Sequence, residues 1–194
     1  MCSWAELRAS LSPPPTPPVA SPAAAMESCS IADTIYRRFF LSAIASVLTA
    51  GASWGVMLLW HIGFAGKFTG VSLQHVNAHG QAQIHGWCGL FIMGFAYQAF
   101  PRLWHTELFR PRLAAVAFAL TLAALPLRTF GMTAGTSPAA LAAQSAGGLA
   151  QVAAAFIFAV QLWLTFRRRT ARVEPYVGFV LAAALWMVPM TVLD

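Results

Sequence analysis

The stretch FFLSAIASVLTAGASWGVMLLWHI, from Phe39 to Ile62, decides the fold class of this chain. It contains no Asp, Glu, Lys or Arg, and it exceeds the roughly 20 residues that an α-helix needs to cross a bilayer. The bilayer core contains no water to hydrogen-bond the backbone N–H and C=O groups, so only α-helices and closed β-barrels, which pair these groups internally, span it. The stretch has no strand-like alternation. It therefore predicts a transmembrane helix.

Four further apolar stretches follow, and with the first they predict five spans. The predicted bounds are 39–62, 78–100, 113–130, 139–166 and 176–193. The composition agrees, since the chain is 58% hydrophobic and 9% charged, whereas soluble domains are roughly a quarter charged. We therefore predict an all-α fold, a polytopic transmembrane helical bundle that occupies residues 31–194.

Residues 1–30 differ from the rest in composition. They contain PPPTPP at Pro13 to Pro18 and are otherwise rich in alanine, which predicts a disordered Pro/Ala-rich tail. No continuous apolar segment follows a basic start, so a secretory signal peptide is not predicted. Met26 opens a more ordinary membrane-protein start and is a second candidate for the initiator.

The arginines lie at the ends of the apolar stretches and predict an orientation. With the N-terminus inside, the outer flanks hold only Lys67 and Arg128. The inner flanks hold nine arginines: Arg37, Arg38, Arg102, Arg110, Arg112, Arg167, Arg168, Arg169 and Arg172. The positive-inside rule then favours an N-in/C-out, multi-pass protein of the cell inner (plasma) membrane. Membrane lipid is the expected partner and nucleic acid is not, because the cations form no basic face interleaved with exposed aromatic rings.

The second span begins with the polar stretch QHVNAHGQAQIHGW. His75 and His79 are four residues apart and so share one helical face. His79 and His85 are six apart, which places them roughly 240° around a regular helix, so they do not bind one metal together. Gln81 shares a face with His85, and Gln83 shares a face with His79. The pattern predicts two polar stripes along the outer half of this span.

Imidazoles gathered near one side of the membrane indicate a haem or metal site. Neutral imidazole is the commonest metal ligand and an axial ligand of haem iron. His79 is the first-choice axial ligand, and His61, His75 and His85 are the other candidates. Arg128 is a candidate partner for a haem propionate, because its paired N–H donors match a carboxylate. We expect haem b, with copper as a possible second metal.

Simpler interpretations stay open for the same residues. His61 and His75 lie near span ends, where a histidine often bonds water or headgroups, and Arg128 fits an interfacial anchor that snorkels. A cofactor-free interaction or assembly protein is the main alternative, in which buried His and Gln side chains lock helices together. Gln144 and Gln151 are seven residues apart on one face of the fourth span, with Gly147 and Gly148 beside them, and predict a helix-packing seam.

Other functions have less support in the sequence. A small-solute or metal-ion transporter would use intramembrane histidines as a pathway, but the acidic residues that such paths usually need are missing from the spans. Cys2, Cys29 and Cys88 form no C-x-x-C pair, so neither a disulfide framework nor a zinc site is predicted. No acid/base pair, nucleophile motif or phosphate loop is evident, which leaves catalysis open.

The run AHGQAQIHGW, residues 78–87, followed by GLFIMGFAYQAFPR, resembles the NnrS-type membrane proteins. These are haem- and copper-containing proteins linked to the nitric oxide response, similar in pattern to haem–copper oxidase subunit I. The family's helix begins with His-Ala-His and later has Phe-Gly-Phe. Here the first His falls on His79, Gln81 replaces the second, and His85-Gly86-Trp87 stands at the aromatic-Gly-aromatic position.

The resemblance implies haem and copper (iron and copper centres) and a role in nitric oxide response or respiratory electron transfer. Its motif covers the second span, and the rest of the chain matches only in span count and hydropathy. Family members have more spans than the five predicted here, and their later helices supply further ligands. The resemblance therefore implies that the site is completed by a second copy of the chain (a homo-oligomer), by a second membrane subunit, or by a C-terminal half that this chain has lost.

Overall fold

The structure is a computed structural model that describes residues 22–193, with side chains described from Thr34 to Leu193. It confirms an all-α helical bundle, and the described residues contain no strand. Most of the predicted tail, residues 1–21, lies outside the described part. The predicted tail boundary at residue 30 falls inside a helix that begins at Pro22, where a proline in the first turn followed by alanines favours helix.

Five helical rods, called rods 1 to 5 in chain order, form the bundle. Rod 1 consists of α1 (Pro22–Ser46), a π-helical segment (Val47–Ser53) and α2 (Trp54–Ala65). Rod 2 has the same pattern, with α3 (Leu73–Gln81), a second π-helical segment (Ala82–Gly89) and α4 (Leu90–Leu103). A short 3₁₀ turn, Phe68–Gly70, precedes rod 2. Rods 3, 4 and 5 are the single helices α5 (Pro111–Thr133), α6 (Pro138–Arg167) and α7 (Tyr176–Leu193).

Four of these rods are long and apolar enough to cross a membrane: Thr34–Ala65, Pro111–Thr133, Pro138–Arg167 and Tyr176–Leu193. Rod 2, Leu73–Leu103, contains the predicted second span, but it is less apolar than the other four rods because its first half carries the histidines and glutamines. Four such helices indicate a membrane protein. The N-in/C-out orientation stays a prediction.

Rod 2 lies at the centre of the bundle. Its α4 packs against α1, and a Cβ added to Gly94 would lie 2.7 Å from the Cβ of Phe39. Further along, the two π-helical segments contact each other, and Gly86 lies directly against Ser46 of rod 1. α3 and the second π-helical segment also contact α5. The polar half of rod 2 therefore contacts rods 1 and 3. Side-chain hydrogen bonds also connect it to rod 4.

Rods 3 and 4 form the most extensive helix pair. A Cβ added to Gly131 would lie 2.7 Å from the backbone nitrogen of Gln144, and one added to Gly147 would lie 3.1 Å from the carbonyl oxygen of Ala124. Small residues allow such close backbone approach between membrane helices. The predicted packing seam on the fourth span is confirmed. Rod 5 packs only against α6 among the described elements.

Aromatic rings fill the half of the bundle that carries the arginine-rich loops. The Phe39 ring lies 5.4 Å from that of Tyr97 and 5.1 Å from that of Phe118, and Tyr97 lies 5.4 Å from Phe158. These four rings join rods 1 to 4. The apolar core therefore occupies one half of the bundle, and the polar side chains of rod 2 occupy the other.

Candidate functional site

His75 and His79 both face rod 1, as their spacing predicts. The His75 ring packs edge-on against Trp54, with centroids 6.1 Å apart. Its Nδ1 lies 2.6 Å from the hydroxyl of Ser72, the N-cap residue of α3, and the same hydroxyl accepts the backbone N–H of His75. His75 is thus fixed at the start of α3, between the cap and the indole of Trp54.

His79 reaches the backbone of the π-helical segment in rod 1. Its Nδ1 lies 3.4 Å from the carbonyl oxygen of Ala50. A carbonyl only accepts hydrogen bonds, so this contact requires the proton on Nδ1 and leaves the lone pair on Nε2. Metal-binding histidines usually have this arrangement, with one ring nitrogen donating to a backbone carbonyl or carboxylate and the other free for the metal.

Glycines of rod 1 make room for this stripe. A Cβ added to Gly55 would lie 3.1 Å from Cε1 of His79, and one added to Gly51 would lie 3.2 Å from the amide of Gln83. This glycine pair was not predicted as part of the site, although small residues four positions apart are a known signal of close helix approach. Trp54 Nε1 and Gln83 Oε1 are buried and have no hydrogen-bond partner among the described residues.

The second stripe faces away from rod 1. Gln81 Nε2 donates to Oε1 of Gln151 on rod 4 over 2.7 Å, and Nη1 of Arg128 on rod 3 donates to the same oxygen over 3.3 Å. Gln81 and Gln151 are each 3% exposed and Arg128 is 4% exposed. We call Gln81, Arg128 and Gln151 the three-rod node. His85, also buried, lies one turn beyond Gln81 on rod 2.

The interpretation of Arg128 as a snorkelling interfacial anchor is wrong. A Cβ added to Gly147 would lie 2.7 Å from Cγ of Arg128, so the arginine side chain crosses α6 over Gly147, which has no side chain in its way. From there its guanidinium group reaches Gln151 in the interior. A buried arginine in a membrane bundle is costly unless its donors are satisfied, and the amide oxygen of Gln151 meets part of that need.

The structure does not bring all the predicted site residues to one place. His75 and His79 lie against rod 1, and His85 and Arg128 are buried in the bundle. His61 is exposed near the end of α2. Within the described part of the chain, no three His, Cys, Asp or Glu side chains group as a metal-ligand set. The predicted ligands therefore lie at three different places in the fold.

A groove of about 490 Å³ lies on the exposed side of α2, lined by Val56, Leu59, Trp60, Gly63 and Phe64. All five residues belong to one helix, and none of them is a candidate ligand. The groove is apolar and open along the surface that would face lipid. The groove is therefore separate from the stripe of His75, His79 and Gln83 that faces rod 1, which we call the histidine stripe.

The fold and these contacts define a class, a polytopic helical membrane protein with polar side chains buried between its helices. No family model, curated protein or solved structure is significantly similar to this chain. The NnrS-type resemblance therefore stays a prediction that rests on residues 78–102.

Proposed function

We propose that this chain is an integral protein of the inner (plasma) membrane that binds haem b through His79 and acts in nitric oxide response or respiratory electron transfer. The observation that carries the proposal is the contact of His79 Nδ1 with the Ala50 carbonyl at 3.4 Å. That contact sets the tautomer and turns the basic Nε2 into a ready ligand. It also fixes the plane of the ring against Gly55.

The surroundings of His79 support a polar occupant at this interface. Trp54 Nε1 and Gln83 Oε1, both on the rod 1–rod 2 interface, are buried without a hydrogen-bond partner among the described residues. Buried polar atoms are almost always bonded to protein groups or to ordered water, so these two atoms support a water molecule or a ligand at this interface. Two facing π-helical segments flank the same interface, and π-bulges are frequent at functional sites.

A second axial ligand would come from His61, His75 or His85, or from a second copy of the chain. His61 is exposed, so its ring is accessible to another subunit. This accessibility supports the proposal of a homo-oligomer or a second membrane subunit. Copper binding would require ligands from that partner as well, since the described residues form no group of three ligands.

Arg128 stays a proposed propionate partner only for a haem that reaches the three-rod node, because its guanidinium group bonds Gln151 on the side of rod 2 opposite His79. When bound, the haem would supply the redox and gas-binding chemistry. The residues of this chain would hold the imidazole in one tautomer and keep water out of the interface.

The test is an absorbance spectrum of the full chain, purified in detergent after expression with haem supplementation. We expect a Soret band and stoichiometric iron, both lost in His79→Ala. The control is His105→Asn, which changes an exposed turn histidine with φ of 51° to a residue that tolerates that conformation. It should leave the spectrum unchanged. A colourless wild-type protein without iron or copper would overturn the proposal.

A cofactor-free assembly protein is the second candidate, and the three-rod node favours it. One amide oxygen, Oε1 of Gln151, accepts from two other rods, and interhelical side-chain bonds of this kind hold membrane helices together. Under this alternative, Gln151→Leu and His79→Ala would both lower thermal stability, and the purified wild-type protein would contain no metal and absorb only in the ultraviolet.

A further inference from the structure

Two loops at the arginine-rich end of the bundle are tied to each other. The backbone N–H groups of Thr170 and Ala171 donate to the carbonyl of Trp104 at 3.2 and 3.3 Å. The hydroxyl of Thr170 donates to the carbonyl of His105 at 2.9 Å. The loop after rod 2 and the loop after rod 4 therefore form a single surface.

Buried side chains of α6 brace that surface from below. Gln161 Nε2 donates to the carbonyls of Phe109 and Arg110 at 2.7 and 3.2 Å. Thr165 Oγ1 accepts the backbone N–H of Phe109 at 3.1 Å. Gln161 and Thr165 are both fully buried. The backbone around Phe109 is thus positioned by the helix and has little freedom of its own.

Two arginines share the ring of Phe109. The guanidinium carbon of Arg168 lies 4.5 Å from the ring centroid, and that of Arg110 lies 5.5 Å from it. Both distances are within the range of a cation–π contact. The two charges come from different loops and are held beside one partly buried ring. We call Phe109, Arg110 and Arg168 the arginine clamp.

The whole end of the bundle is strongly positive. Beside the clamp it carries Arg102, Arg112, Arg167, Arg169 and Arg172. Between residues 34 and 193 the sequence has only two carboxylates, Glu107 and Glu174, both exposed. Apolar surface adjoins these charges. Arg169 stacks on Phe166 at 4.0 Å, and Phe166 contacts Trp163, which is half exposed.

We propose that the arginine clamp binds the phosphate of an anionic phospholipid, with the acyl chains lying along the exposed rings of α6. Four rods of this bundle are built to cross a membrane, which places their arginine-rich ends at the level of the headgroups. Guanidinium groups bond phosphate oxygens in a paired geometry. Basic clusters next to spanning helices recognise anionic headgroups. This inference does not rest on haem binding.

The experiment titrates the full chain, in a neutral detergent, with phosphatidylglycerol or phosphatidylcholine and follows binding by native mass spectrometry. We expect a preference for phosphatidylglycerol. Arg110→Gln/Arg168→Gln should weaken it about tenfold or more. The matched control, Arg102→Gln/Arg172→Gln, removes the same charge from the same end and should have a much smaller effect.

Equal losses in the two double variants would mean that diffuse charge attracts the lipid and would overturn the clamp. Inorganic phosphate that displaces phosphatidylglycerol at millimolar concentration would indicate a free-anion site instead. Phe109→Leu provides a second variant that keeps both charges, in case the double variant fails to fold. It should also weaken binding, and an unchanged affinity would contradict the proposal.

Discussion

Gln81 on rod 2 and Gln151 on rod 4 are joined by a 2.7 Å hydrogen bond between two almost wholly buried side chains. The two residues are 70 positions apart in the chain. The opposite face of the same turn of rod 2 carries His79, which contacts the backbone of rod 1. Rod 2 therefore takes part in two polar interfaces, one with rod 1 through His79 and one with rod 4 through Gln81.

The three-rod node predicts a cost for losing its shared acceptor. Gln151→Leu leaves the donors of Gln81 and Arg128 without the oxygen they share, and each buried unsatisfied donor costs about 1–3 kcal/mol. We expect unfolding in mixed micelles at distinctly lower denaturant. Gln74→Leu is the control, since Gln74 is exposed, and its change should be within about 0.5 kcal/mol. Similar stability of the two variants would contradict the importance of the node.

Two adjacent glycines of rod 4 predict opposite effects. In Gly147→Ala the new methyl group would lie 2.7 Å from Cγ and 3.0 Å from the backbone nitrogen of Arg128, so rods 3 and 4 must separate at a cost of about 1–3 kcal/mol. In Gly148→Ala the nearest atom is Nη1 of Arg128 at 3.8 Å, an ordinary contact. This second variant should be neutral or gain a few tenths of a kcal/mol from helix propensity. Thermal unfolding of both proteins in one detergent provides the comparison.

Rod 1 offers a matched pair for the histidine stripe. A methyl group at position 55 would lie 3.1 Å from Cε1 of His79, whereas one at position 63 would meet nothing within 4 Å. Gly55→Ala should displace the imidazole and lower the haem content of the purified protein. Gly63→Ala should leave haem content unchanged. Equal haem content in both variants would argue against His79 as the ligand in its present position.

Removing the brace below the arginine clamp should loosen its loop. Gln161→Leu deletes the donor to the carbonyls of Phe109 and Arg110. We expect faster amide hydrogen exchange in residues 104–110, measured by mass spectrometry. Peptides from rod 1 act as the internal reference, because no element of rod 1 contacts α6, the helix that carries Gln161, among the described elements. Unchanged exchange in the loop would contradict the bracing role.

Local features of the sequence were enough to predict the helices. The predicted spans 113–130, 139–166 and 176–193 lie within or match α5, α6 and α7, because apolar runs and arginine-bearing ends are properties of neighbouring residues. The π-helical segments were not predicted. A regular helix was assumed across rod 2, and the wider turn at Ala82–Gly89 changes the direction of His85 relative to His79.

The sequence alone determined that the chain forms a helical membrane bundle and that rod 2 carries two polar stripes. Both follow from hydrophobicity and helical periodicity, which act over a few residues. Only the tertiary structure decided that one stripe meets Ala50 and Gly55 and that the other meets Gln151. It also decided that Arg128 turns inward over Gly147. Those outcomes depend on how closely distant helices approach, and that distance is set by which residues on opposing faces lack a side chain.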